Sequence, residues 1–284
     1  MTTQSPRKNR FRQIMQLPPV RMAFAFAWMI GILGLTQAVL SVFPTAFQDN
    51  LSGLIAAGVA VFAYTAFVRV VEQRAVTEFA AAGALPELAA GVGLGTLLFT
   101  VTILILWGVG AYEITQLNQW DALLPAFSAA AFAGFFEEIL FRALLFRLLE
   151  SSLGTWLSLL LSALLFGLLH LFNPNATLFG AVAIALEAGI LLAAAYLLTR
   201  RLWLAIGIHF AWNFTQAGIF GVAVSGNDIP GFFRSVPTGP EWLSGGEFGA
   251  EASVVAIAVC LLAGILVLQR AYQQGRFLKP AWRR

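Results

Sequence analysis

Eight stretches of about twenty apolar residues, each bounded by polar or glycine-rich connections, constrain this chain more than anything else in it. They run at about 22–43, 51–71, 88–112, 122–146, 153–172, 176–199, 202–224 and 252–270. A helix needs roughly 20 apolar residues to cross the hydrocarbon core of a bilayer, and a backbone in lipid must satisfy its own polar groups, which helices do segment by segment. The expected fold is therefore all-α, a polytopic membrane bundle of about eight transmembrane helices. Composition agrees, with 59% hydrophobic and only 11% charged residues. The mean hydropathy of +0.81 lies outside the range of soluble domains.

A sequence pI near 9.4 would suit a nucleic-acid partner. The basic residues, however, are scattered between apolar runs and form no patch with interleaved aromatics, so no nucleic acid is expected. Their placement concerns topology. Sixteen of the seventeen Lys and Arg flank the same ends of the eight stretches, and only Arg234 lies in a connection on the other side, with Asp49, Glu113, Asp121, Asp228, Glu241 and Glu247. Positive flanks stay cytoplasmic, so both termini are expected there, in a prokaryotic inner membrane. The first stretch is too long for a signal-peptide core and is read as a retained helix. The single cysteine, Cys260, has no intrachain partner and reads as a buried hydrophobe.

Residues 1–20 read as a basic cytoplasmic tail and 21–284 as the membrane domain. Residues 72–87 suggest a short interfacial helix, and 225–251 a long external loop that either covers a site or simply joins two helices. The run GVGLG holds Gly91 and Gly95 four apart, a spacing that favours close helix packing over nucleotide binding.

Charged side chains in the bilayer cost several kcal/mol on insertion scales, so they mark cavities and function. Here they cluster: Glu137, Glu138 and Arg142 in FFEEILFRALLF; Phe166 and His170 in FGLLH; His209 and Asn213 in HFAWN. The two histidines are the only ones in the chain. Residues four apart share a helix face, so Glu138 is expected to pair with Arg142, while Glu137, turned about 100° away, is free to serve as a general base. Phe166 would stack beside His170, and His209 with Asn213 could donate hydrogen bonds to one substrate oxygen. Glu187, in the sixth stretch, is either an accessory site residue or a buried structural partner.

The ordered motifs EExxxR, FxxxH and HxxxN resemble the signature of the CPBP family of intramembrane endopeptidases, also called Abi or CAAX prenyl endopeptidase-like. The resemblance covers roughly residues 120–216, the expected catalytic core. It implies that Glu137 and His170 activate a water, that His209 and Asn213 stabilise an oxyanion, and that Glu138 and Arg142 hold the site in shape. The implied activity is a glutamate- or metal-dependent protease cleaving a membrane-associated or prenylated CAAX-type protein or peptide, with membrane lipid as surroundings. A cofactor is undecided: either none, or a divalent metal such as Zn²⁺ on Glu137, His170 and His209. A proton-coupled transporter would use the same Glu and His residues as a relay, and a non-catalytic bacteriocin immunity scaffold would keep them as helix cross-links. One difficulty is geometric: His170 lies much deeper from the basic end of its helix than His209 does, so something must tilt or break.

Overall fold

Helices that meet lipid on one side and protein on the other have no polar face to separate, and the long helices here carry apolar residues all round. The computed structural model describes residues 17–283. Within it α1 spans Pro18–Leu40, α2 Thr45–Glu72 and α3 Ala84–Gly108. Helix α4, Leu123–Glu138, passes through a π-helical stretch, Ile139–Phe146, into α5, Arg147–Leu169. Helix α6 is Leu178–Thr199. Helix α7, Trp203–Asn213, continues as a π-helical stretch over Phe214–Ile219, and α8 is Val254–Gln273. Leu35, Phe62, Leu97 and Leu104 point outward, a band of apolar surface suited to lipid.

Among the described residues six helices are long and apolar enough to span a membrane. The difference from eight stretches has two sources. Helices α4 and α5 form one continuous 53-residue helical run, Trp120–Phe172, which is bent at Gly154 (φ 76°, ψ 171°). Helix α7 with its π-helical end is shorter than the others. A side chain at Gly154 would also press on the backbone of Pro280, so the residue permits both the reversal and its packing.

The local sequence explains where several helices start and stop. Pro18 opens α1, where its missing N–H costs nothing. Thr177 and Ser253 cap α6 and α8 by accepting from the amides of Gly180 and Ala256 at 3.0 Å each. Left-handed residues end α2 at Gln73 and α6 at Arg200.

Helix α7 lies hard against α3. A Cβ on Gly91 would clash with the Leu204 carbonyl oxygen, and one on Gly207 would come 2.6 Å from that of Leu88. The small residues thus let the two backbones touch, as the spacing of Gly91 and Gly95 leads one to expect. Phe99 and Trp212 meet edge to face at 5.2 Å further along the same seam.

One expectation needs correction. Residues 74–83 form turns, not an interfacial helix, because Arg74 folds back to bridge Glu72 at 2.7 Å and Glu78 at 2.8 Å. The connections at the opposite end carry a two-stranded antiparallel sheet, β1 (Tyr112–Leu117) with β2 (Phe233–Pro237), bulged between Ile114 and Gln116. The expected tail over residues 1–20 lies almost entirely outside the described residues; from Pro18 on the chain is already helical.

Candidate active site

Glu138 sits at the last position of α4, fully buried, with Arg142 one turn on and 2% exposed. The Arg142 Nε–H lies 3.2 Å from Glu138 Oε2, the pair expected from the i, i+4 spacing. Arg142 also donates to the Ala188 carbonyl at 2.9 Å, which ties the π-helical end of α4 to α6. Its guanidinium lies 4.6 Å from the centre of the Phe166 ring.

His209 Nδ1 lies 2.9 Å from Glu138 Oε1. A carboxylate can only accept, so Nδ1 carries the proton and Nε2 turns away from Glu138. That Nε2 is 3.9 Å from Glu137 Oε2, too far for a hydrogen bond. Glu137 keeps a quarter of its side chain exposed, and its buried Oε2 has no hydrogen-bond partner within the protein. The two adjacent glutamates thus have different surroundings, one locked and one free, as their 100° separation predicts.

His170 opens the short 3-10 turn that closes α5, and its Nδ1 lies 2.7 Å from the Phe166 carbonyl oxygen. A carbonyl only accepts, so here too Nδ1 carries a proton, and in the neutral ring Nε2 keeps its lone pair. The Phe166 ring stands 4.8 Å from His170 and 6.3 Å from His209. This ring connects the two histidines and answers the difficulty of depth. Because α5 restarts at Gly154 and ends just before Asn173-Pro174, it can deliver His170 to the level of His209.

Glu137, His170, His209 and Asn213 line one cavity of about 650 Å³. A much smaller space, about 40 Å³, adjoins it and adds Glu187, Glu251 and Cys260 to the two histidines and Asn213. Glu187 thus lines the space beside the two histidines, in a π-helical segment of α6, Ala185–Gly189, with its buried Oε2 lacking a hydrogen-bond partner. π-helical segments also follow Glu138 and Asn213, a frequent accompaniment of functional positions.

No local pattern in the sequence singles out Glu251. It stands at the threshold of α8, where an acidic residue ordinarily marks the end of a loop, yet it is 2% exposed. It accepts from the amide and hydroxyl of Ser225 and from Gln216 Nε2. Burial pushes its pKa up to about 8, against the opposing pull of the Ser225 hydrogen bonds. Ser225 holds a left-handed backbone (φ 47°) to make these contacts. The two ends of the 225–251 connection, Ser225 to Ile229 and Glu251, thus line the site spaces as well as joining two helices.

A metal centre on Glu137, His170 and His209 finds no support. Among the described residues no three His, Cys, Asp or Glu side chains gather closely enough to hold an ion. The described residues at this site do not fit a metal ion.

Fold and site together define a multi-pass helical membrane protein with a carboxylate, two imidazoles and an amide facing one cavity. Residues 119–215 match the family model for type II CAAX prenyl endopeptidases, Rce1-like, and this match supports the resemblance of that segment to the CPBP and CAAX proteases. No curated protein and no solved structure gave a significant match.

Proposed function

We propose that the protein is an intramembrane endopeptidase of the CAAX type, hydrolysing a peptide bond of a membrane-associated or prenylated polypeptide. The observation that carries this reading is the shared cavity: the free carboxylate of Glu137 and the unprotonated Nε2 of His170 face the same space as Asn213 and His209. Glu137 takes a proton from a water held by His170, and the water oxygen attacks the peptide carbonyl carbon. The carbonyl oxygen becomes an oxyanion, stabilised by Asn213 Nδ2–H and by His209 Nε2–H. His209 donates there only as an imidazolium, because its other proton is already held by Glu138. The imidazolium also neutralises the cluster, since Glu137, Glu138 and Arg142 alone sum to one negative charge. Collapse of the tetrahedral intermediate breaks the C–N bond, and protonated Glu137 returns its proton to the leaving amine.

The test is cleavage by the purified protein in detergent of a farnesylated CAAX peptide and of a mixed peptide library. Glu137→Gln and His170→Gln should each lower the rate by about 10²–10⁴ with unchanged thermal stability. Full cleavage by Glu137→Gln would sink the assignment. A proton flux with no cleaved product would favour transport instead.

A further inference from the structure

Four arginines converge on one depression of about 590 Å³ at the end of the bundle away from β1 and β2. Arg200 and Arg201 come from just beyond α6, Arg270 from the last turn of α8 and Arg276 from just after it. Topology asks only for positive charge somewhere on the flanks of a span, and convergence from two separate helix ends is more than it requires. Glu87 is the one carboxylate in the lining, and Arg201 takes it. Arg200 is held by Glu150 at 2.5 Å. Among the described residues neither Arg270 nor Arg276 has a carboxylate partner, and both are exposed. The depression therefore keeps two uncompensated positive charges.

The fold fixes them there. Gly275 takes a left-handed backbone (φ 67°) that ends α8, and the amides of Gly275 and Arg276 donate back to the carbonyls of Tyr272 and Ala271 at 2.9 and 3.1 Å. The chain then turns toward α6, where the Arg276 carbonyl accepts from the Arg200 guanidinium. Two bonds fasten the segment to α5: the Thr155 amide donates to the Leu278 carbonyl at 3.1 Å, and the Leu278 amide to the Thr155 hydroxyl at 2.8 Å.

The surroundings supply depth and apolar contact. Phe277, next to Arg276, packs against Trp156 and Tyr272 at 4.9 and 5.3 Å, and both of these rings are exposed. Exposed Trp and Tyr gather at headgroup level. Leu262 and Leu266, also exposed, precede Arg270 on α8 at successive four-residue steps and so share its face. An apolar stripe about 12 Å long thus leads from the hydrocarbon to the arginines.

A guanidinium offers paired N–H donors to phosphate oxygens, and basic pockets between helices at the membrane surface recognise anionic headgroups. A soluble anion would use the arginines but not the leucine stripe. We propose that this depression binds the phosphate headgroup of an anionic phospholipid, with Arg270 and Arg276 on the phosphate and an acyl chain along Leu266 and Leu262. The site shares no lining residue with the cavity of Glu137 and stands whether or not that cavity cleaves peptides.

The test is thermal unfolding of the purified protein in detergent micelles titrated with phosphatidylglycerol, with phosphatidylcholine and inorganic phosphate as separate arms. A ligand that binds the native state raises the melting temperature with its concentration, and here only phosphatidylglycerol should do so. Arg270→Gln/Arg276→Gln should melt as the wild type without lipid, because both side chains are exposed and unpaired. It should need about tenfold more phosphatidylglycerol for the same shift, and each single substitution should show part of that loss. Arg69→Gln, which alters an exposed arginine outside the depression, should titrate as the wild type. An equal shift with phosphatidylcholine would overturn recognition of the charge, and an equal shift with inorganic phosphate would reassign the depression to a free anion and overturn the lipid. Wild-type titration by the double variant, or an equal loss in Arg69→Gln, would mean diffuse attraction to the whole surface and overturn the site.

Discussion

Replacing each of the two adjacent glutamates by glutamine should separate chemistry from architecture. Glu138 is fully buried between Arg142 Nε at 3.2 Å and His209 Nδ1 at 2.9 Å. In Glu138→Gln the amide oxygen can still accept from His209, but the amide N–H₂ then meets the Arg142 N–H, donor against donor, and the guanidinium loses its counter-charge. Removing one partner of a buried pair costs about 3–5 kcal/mol. At about 1.4 kcal/mol per tenfold, the folded-to-unfolded ratio should fall on the order of a hundred- to a few-thousand-fold. Glu137→Gln disturbs no hydrogen bond made by its buried Oε2 and removes one negative charge from a partly exposed side chain. Its stability should change by less than ~1 kcal/mol, while activity falls by about 10²–10⁴. The assay is thermal unfolding in detergent beside peptide cleavage, with Glu138→Gln/Arg142→Met as a third variant. Removing both charges should restore part of the lost stability. Equal destabilisation by the two single substitutions, or no recovery in the double variant, would refute this account of the pair.

Three further outcomes follow from other parts of the structure. Gly95→Leu should lower both stability and activity, because even a Cβ there would clash with the Ile208 carbonyl oxygen and push away the helix that carries His209 and Asn213; wild-type melting and cleavage would contradict it. Glu251 has a folded pKa raised from 4.5 to about 8. Between those values the unfolded chain is ionised while the native one is not, so stability declines as pH rises and the loss is complete above the folded pKa. The melting temperature should accordingly drop between about pH 6 and about pH 9, and Glu251→Gln should flatten that slope; parallel slopes would contradict the burial of a protonated carboxyl. Arg201→Gln breaks only a partly exposed pair with Glu87 and should shift stability by no more than ~1 kcal/mol, which a larger drop in melting temperature would disprove.

The helical membrane fold is legible in the residues alone, because apolar length is a local property read one segment at a time. So are the pairing of Glu138 with Arg142 and the freedom of Glu137, since three- and four-residue spacings on one helix dictate which side chains share a face. Gly91 and Gly95 announce a close helix contact in the same way, but the folded chain is needed to show that α7 is the partner. The reversal at Gly154, the two strands and the turns at 74–83 come from contacts between distant segments, which no local periodicity records. The same holds for the use of His209 Nδ1 by Glu138: a spacing can place an imidazole on a face, but a neighbour from another helix decides which nitrogen holds the proton. Glu251 is the clearest case, a loop-end carboxylate on any local reading, made into a buried member of the cavity by Ser225 and Gln216, which lie 26 and 35 residues away in the chain.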